Sequence, residues 1–112
     1  PLIVSFVLAP PLRGDQLPTL SIPAGTDRAL IRLELESDDF EFYTVELRDS
    51  AAGRTIWHSG RVKTTGATNG NSLNVPVPVK YLNPVIYTLS VSGFSTSGQA
   101  ERVGDYSFRV MR

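Results

Sequence analysis

Residues 81–93 read YLNPVIYTLSVSG, and this stretch decides how the rest of the chain is interpreted. Tyr87, Leu89 and Val91 alternate with Thr88, Ser90 and Ser92, and a period of two places the first set on one face of a β-strand and the second on the other. Leu82-x-x-x-x-Tyr87-x-Leu89-x-Val91 also has the layout of the penultimate strand of an immunoglobulin-like domain. There a tyrosine near the strand's start buries its ring and hydrogen-bonds its hydroxyl to backbone a few residues upstream, the tyrosine corner. With Tyr87 in that role, the expected fold is an all-β, immunoglobulin-like antiparallel β-sandwich of seven to nine strands.

Working outward, the same period recurs. Residues 28–36 (RALIRLELE) carry Ile31, Leu33 and Leu35 on one face, and residues 40–49 carry Tyr43, Val45 and Leu47. With Ser37-Asp38-Asp39 as a turn between them, these two strands are expected as antiparallel neighbours. Leu2 to Leu8 forms a first strand ended by Pro10-Pro11, and Leu20 and Ile22 mark a short edge strand before Pro23. Residues 50–53 turn into a strand at 54–59 bearing Trp57, and residues 63–71, rich in Thr, Gly and Asn, read as a mobile loop. Leu73, Val75 and Val77 make another edge strand, ending near the prolines at 76 and 78, and Tyr106, Phe108 and Val110 sit on a last strand over about 103–111, after a turn at 93–98. The expected core therefore includes Leu33, Leu35, Tyr43, Val45, Leu47, Trp57, Tyr87, Leu89, Tyr106 and Phe108, each contributing roughly 1.5–3 kcal/mol on burial.

Composition narrows the function classes. A chain of 112 residues suits one domain, here 1–112, and 41% hydrophobic with 20% charged residues is the make-up of a folded protein. Eleven basic residues balance eleven acidic ones, so no net field draws in nucleic acid. The absence of cysteine excludes disulfides, thiolate catalysis and sulfur-ligated metal. No apolar run reaches the roughly 20 residues of a membrane-spanning helix, and the opening apolar run is too short and lacks the basic flank of a signal peptide.

Residues with chemical potential are few, and each has a structural reading beside the functional one. His58 is the single histidine, and with Trp57 inward it points outward, where a triad would need a serine and a carboxylate from other strands. Glu34, Glu36, Asp38, Asp39 and Glu41 form an acidic run at a turn, with no D-x-D-x-D calcium spacing, and read as a solvated turn. Gly66 and Gly70 precede no helix that aims amides at a phosphate. Arg13-Gly14-Asp15 matches an integrin-binding tripeptide on an expected loop. Phe40, Phe42, Tyr81 and Phe94 are candidates for stacking on sugar rings, with capping of the core as their other role. The edge at 73–77 invites pairing with a second copy, against which its prolines act. No catalytic, cofactor-binding or metal residue is assigned, and no cofactor is expected.

Three segments carry a family resemblance: SIPAGTDRALIRLELESDDFEFYTVELRD at 21–49, RTIWHSG at 54–60 and YTLSVSGFSTSGQAERVGDYSFRV at 87–110. Through Ile22-Pro23-Ala24-Gly25, Leu33-Glu34-Leu35, Trp57, Tyr87-x-Leu89 and Tyr106-x-Phe108, the chain resembles the C-terminal extracytoplasmic domain of acidobacterial membrane-anchored, anti-sigma-type zinc-finger regulators. The resemblance implies a periplasmic domain tethered to the inner membrane. A start on Pro1 then follows a membrane helix, with residues 1–18 as juxtamembrane strand and linker. The family's zinc-binding segment has no counterpart here, so neither zinc nor sigma-factor binding transfers to any residue. The function expected is non-enzymatic sensing or protein interaction, with an unknown protein partner or envelope ligand. A carbohydrate-binding or adhesion module is the alternative.

Overall fold

The computed structural model describes residues 2–65 and 71–112. Among them the strands follow as β1 (Leu2–Leu8), β2 (Thr19–Ser21), β3 (Thr26–Glu34), β4 (Phe42–Asp49), β5 (Thr55–His58), β6 (Ser72–Pro78), β7 (Ile86–Phe94) and β8 (Ala100–Met111), with a 3-10 turn at Val79–Tyr81 before β7. They form a three-stranded sheet in the order β1-β3-β6 and a five-stranded sheet in the order β2-β8-β7-β4-β5. The immunoglobulin-like sandwich expected from Tyr87 is the fold. Its centre is antiparallel, while β1 joins β3, and β2 joins β8, in parallel. The chain thus gives one strand to each sheet before β3, spanning from one layer to the other.

Alternation set the inward faces correctly. Leu33, Val45, Leu47, Leu89 and Phe108 are completely buried, and Leu35, Tyr43, Tyr87 and Tyr106 nearly so. Phe108 ties the two layers together: its ring lies 5.9 Å from Phe6 of β1 and 6.0 Å from Tyr87 of β7. The tyrosine corner is present. The Tyr87 hydroxyl accepts from the Asn83 amide at 2.8 Å and donates to the Tyr81 carbonyl at 3.1 Å, holding the 3-10 turn against the start of β7.

Three expectations are corrected. First, β3 and β4 are not neighbours. The connection between them crosses from one sheet to the other, with buried Leu35 donating its amide to the Asn71 carbonyl at 2.7 Å. Both strands turn apolar faces to the same interior, so their alternation could not distinguish pairing from facing. Second, Trp57 is only half-buried. It pairs with Leu47 and packs against the core, but β5 is an edge strand of the five-stranded sheet, with β4 as its one strand neighbour among the described residues. Third, β8 begins at Ala100. Its register slips where Val91 pairs with Gly104 and Ser92 with Arg102, a bulge that breaks the alternation around Val103 and hides the strand's first residues from a period-two reading. Of the loop expected at 63–71, residues 66–70 lie outside the described residues, as do Gly66 and Gly70. On its flanks Thr64 donates its hydroxyl to Asp38, and the Thr65 amide donates to the Ser72 carbonyl.

One glycine is required by packing. A Cβ on Gly93 of β7 would lie 2.3 Å from Cδ2 of Phe40, whose ring meets Tyr43 edge-on at 5.8 Å and covers the end of the core. Gly93→Ala is expected to cost about 1–3 kcal/mol through overpacking. Adding Phe40→Leu to that variant should recover part of the loss, because the colliding ring edge is removed. A urea-unfolding double-mutant cycle measures the coupling, and additive effects would contradict the contact.

Candidate interaction surface

The residues singled out from sequence are dispersed. His58 pairs across the strand with Glu46, and its described hydrogen bond is to the Ser59 carbonyl, from Nδ1 at 3.4 Å. Glu46 itself accepts from Arg48 and Thr55, while the adjacent Ser59 hydroxyl accepts from the Val45 amide and donates to the Gly60 carbonyl. Histidine, carboxylate and serine therefore do not converge. In the tripeptide, Gly14 takes a positive φ of 87° and the Asp15 carboxylate accepts the Leu12 amide at 2.9 Å, so the acid is engaged in closing its own turn.

The acidic run is also a structural device. Asp38 accepts from the Tyr43 hydroxyl at 2.8 Å and the Thr64 hydroxyl at 2.7 Å, and Asp39 accepts from Ser37. Among the described residues, no three His, Cys, Asp or Glu side chains gather where they could hold a metal ion. Tyr106 donates its hydroxyl to the Glu34 carbonyl at 2.7 Å, so the first carboxylate of the run contributes its backbone to a clip between the sheets.

These two tyrosines carry a pH signature. Burial first, then the hydrogen bond and charge of Asp38, pushes the Tyr43 hydroxyl up to about 12; burial, then Glu36 and Glu34, pushes Tyr106 up to about 12. An unfolded chain releases these protons near pH 10. The folded state holds them more tightly, so the associated stability is complete below pH 10 and is lost as pH rises toward 12. Urea midpoints are expected to fall across that window, and to fall less in a Tyr43→Phe/Tyr106→Phe variant. A midpoint that stays flat, or the same fall in that variant, would contradict the assignment.

The four candidate sugar-stacking rings have other engagements. Phe40 covers the core, and Tyr81 lies 5.3 Å from the Lys80 ammonium. Phe42 and Phe94 stack on each other across β4 and β7, at 4.8 Å and 6°, with the Arg61 guanidinium 4.4 Å from the centroid of Phe42. Near the β1–β2 linker, two shallow recesses of about 270 and 240 Å³ share Pro10, Pro11, Asp105 and Tyr106. Asp105 is bound to Arg102 through one carboxylate oxygen, and its other oxygen is buried without a partner among the described residues.

The most unusual surface is β1. It has β3 on one side and, among the described residues, no strand on the other. Leu2, Ile3 and Val7 are 60, 57 and 55% exposed, and the strand carries no charge and no proline. On the neighbouring strand Leu30, opposite Ser5, is also exposed and has Pro76 opposite it on β6. Arg28 and Arg32, opposite Ile3 and Val7, flank this apolar strip. The other outer strands are guarded: β6 carries Pro76 and Pro78, β2 has three residues and β5 four. Sequence reading took β1 as a strand and missed its open side. The signal was there, since Ile3 and Val7 are apolar as well as Val4, Phe6 and Leu8, whereas β3 and β4 put charges on their outer faces.

No protein-family model matches the sequence, and no curated protein matches it. Among solved structures, the fold is similar to that of CopC from Methylosinus trichosporium OB3b, with a TM-score of 0.55 and 18% identity, over 86% of this chain and 84% of that one. At that identity the likeness is one of fold.

Proposed function

We propose that this sandwich is a non-enzymatic, extracytoplasmic protein-interaction domain, held in the periplasm as part of a membrane-anchored, anti-sigma-type bacterial regulator, and that it engages its partner by adding a strand along β1. The observation that carries the reading is the unguarded edge: seven uncharged residues with Leu2, Ile3 and Val7 exposed. An exposed apolar edge is an aggregation hazard unless something pairs with it. The engagement of Glu46 by Arg48 and Thr55, and of the Ser59 hydroxyl by backbone, supports a binding role over a hydrolytic one. The resemblance of residues 21–49, 54–60 and 87–110 to regulator domains supports the compartment and the anchor.

Deletion of the domain from the full-length regulator, read out as target-promoter activity under envelope stress, tests this. Val7→Lys, which places a charge on an exposed edge position, is expected to mimic the deletion while the chain stays folded, with a circular dichroism spectrum like the parent's. Unchanged regulation in both variants under every stress applied would overturn the reading. Binding on a glycan array that is lost in Phe42→Ala would favour carbohydrate recognition instead.

A further inference from the structure

We infer that the strand added to β1 is β1 of a second copy of this chain, antiparallel about a two-fold axis through Ser5, so that two three-stranded sheets become one sheet of six. This deepens the strand-addition reading and rests on it. A two-fold interface uses the same patch on both copies, so the patch must complement itself. LIVSFVL does so about its centre: Leu2 meets Leu8, Ile3 meets Val7, Val4 meets Phe6 and Ser5 meets Ser5.

Each face of the seam is matched as well. Ile3 and Val7 lie on the outer face, so each becomes the other's cross-strand partner there. Val4 and Phe6 pack toward the core and pair on the inner face. Apolar and β-branched cross-strand pairs are the stabilising unit of an antiparallel ladder. The Leu30 side chains of the two copies extend the strip one strand outward on either side.

Charge permits this occupant. The strand itself has none, and the nearest cations on that face, Arg28 and Arg32, stand one strand in, on β3. After pairing, the two β3 strands are three strand spacings apart, roughly 14 Å. That exceeds the ~8 Å Debye length at physiological salt, so their like charges are screened. Among the described residues, no other outer strand is both unguarded and long enough to rival this edge.

The chain contains no cysteine, so Ser5→Cys introduces a single thiol at the proposed axis. Directly opposed residues of an antiparallel pair have Cα atoms about 4.5–5.5 Å apart, inside the range a disulfide spans. Mild oxidation of Ser5→Cys is expected to give predominantly covalent dimer. Ile3→Cys alone should give little, since the two thiols would lie four residues apart along the seam, about 13 Å. The parent chain should sediment as a dimer and Val7→Lys as a monomer with an unchanged circular dichroism spectrum.

A monomeric parent with no cross-linking of Ser5→Cys would overturn the second copy as occupant. If Val7→Lys still disrupts promoter control in that case, strand addition survives with another partner; if it does not, both fall. Equal cross-linking of Ser5→Cys and Ile3→Cys would overturn the two-fold register.

Discussion

Phe108→Ala is expected to lower the free energy of unfolding by about 3–5 kcal/mol, the range for removing a fully buried aromatic ring. Phe108 is completely buried, and it contacts Phe6 from one sheet and Tyr87 from its own. Its loss leaves a cavity at the seam between layers, where neither ring can collapse without moving a strand. A domain of this size has only about 5–15 kcal/mol of stability, so the variant is expected to be partly unfolded at physiological temperature. Phe108→Leu retains most of the volume and should cost less, which keeps the comparison measurable. Urea titrations followed by near-ultraviolet circular dichroism check both variants. A loss below about 1 kcal/mol for Phe108→Ala would mean that this ring does not join the layers.

Tyr87→Phe has the next largest expected effect, about 1–3 kcal/mol, because the ring stays and only the hydroxyl's two hydrogen bonds go. The Asn83 amide loses its acceptor and the Tyr81 carbonyl its donor, so the cost falls on the 3-10 turn at Val79–Tyr81 and not on the core. Amide exchange provides the specific signature. The Asn83 amide should exchange faster in Tyr87→Phe, while the amides of β4, on the far side of β7, should slow or quicken only in step with global stability. Equal stability and unchanged exchange at Asn83 would remove the corner from its structural role.

How much was legible in the sequence follows from what side-chain alternation encodes. It gives the face of a strand, so Leu33, Val45, Leu47, Leu89 and Phe108 were placed inside correctly. It does not give the sheet. β3 and β4 carry equivalent patterns because both face one interior, and only the long-range pairings, β3 with β6 and β4 with β7, separate them. The depth of burial at Trp57 depends on β5 lying at a sheet edge, which no local pattern records. The Val103 bulge shifts the period by one residue and conceals the start of β8.

The proposed site shows the same division. The chemistry-bearing residues were legible as types, and the structure gives most of them local partners: Asp38 holds Tyr43 and Thr64, and Asp15 closes its turn. The β1 edge was legible only as a strand. Its meaning depends on β3 lying on one side and no strand of the described residues on the other, which is a property of sheet order. An apolar outer face at Ile3 and Val7 becomes notable only after the core is known to be filled without them.

Residue-resolved amide hydrogen exchange of the purified chain at rising protein concentration tests the β1 edge most directly. Alternate amides of β1, those pointing away from β3, should become protected as concentration increases, with β2, β5 and β6 unaffected. Exchange in β1 that ignores concentration, or protection that develops along β5 or β6 instead, would contradict it.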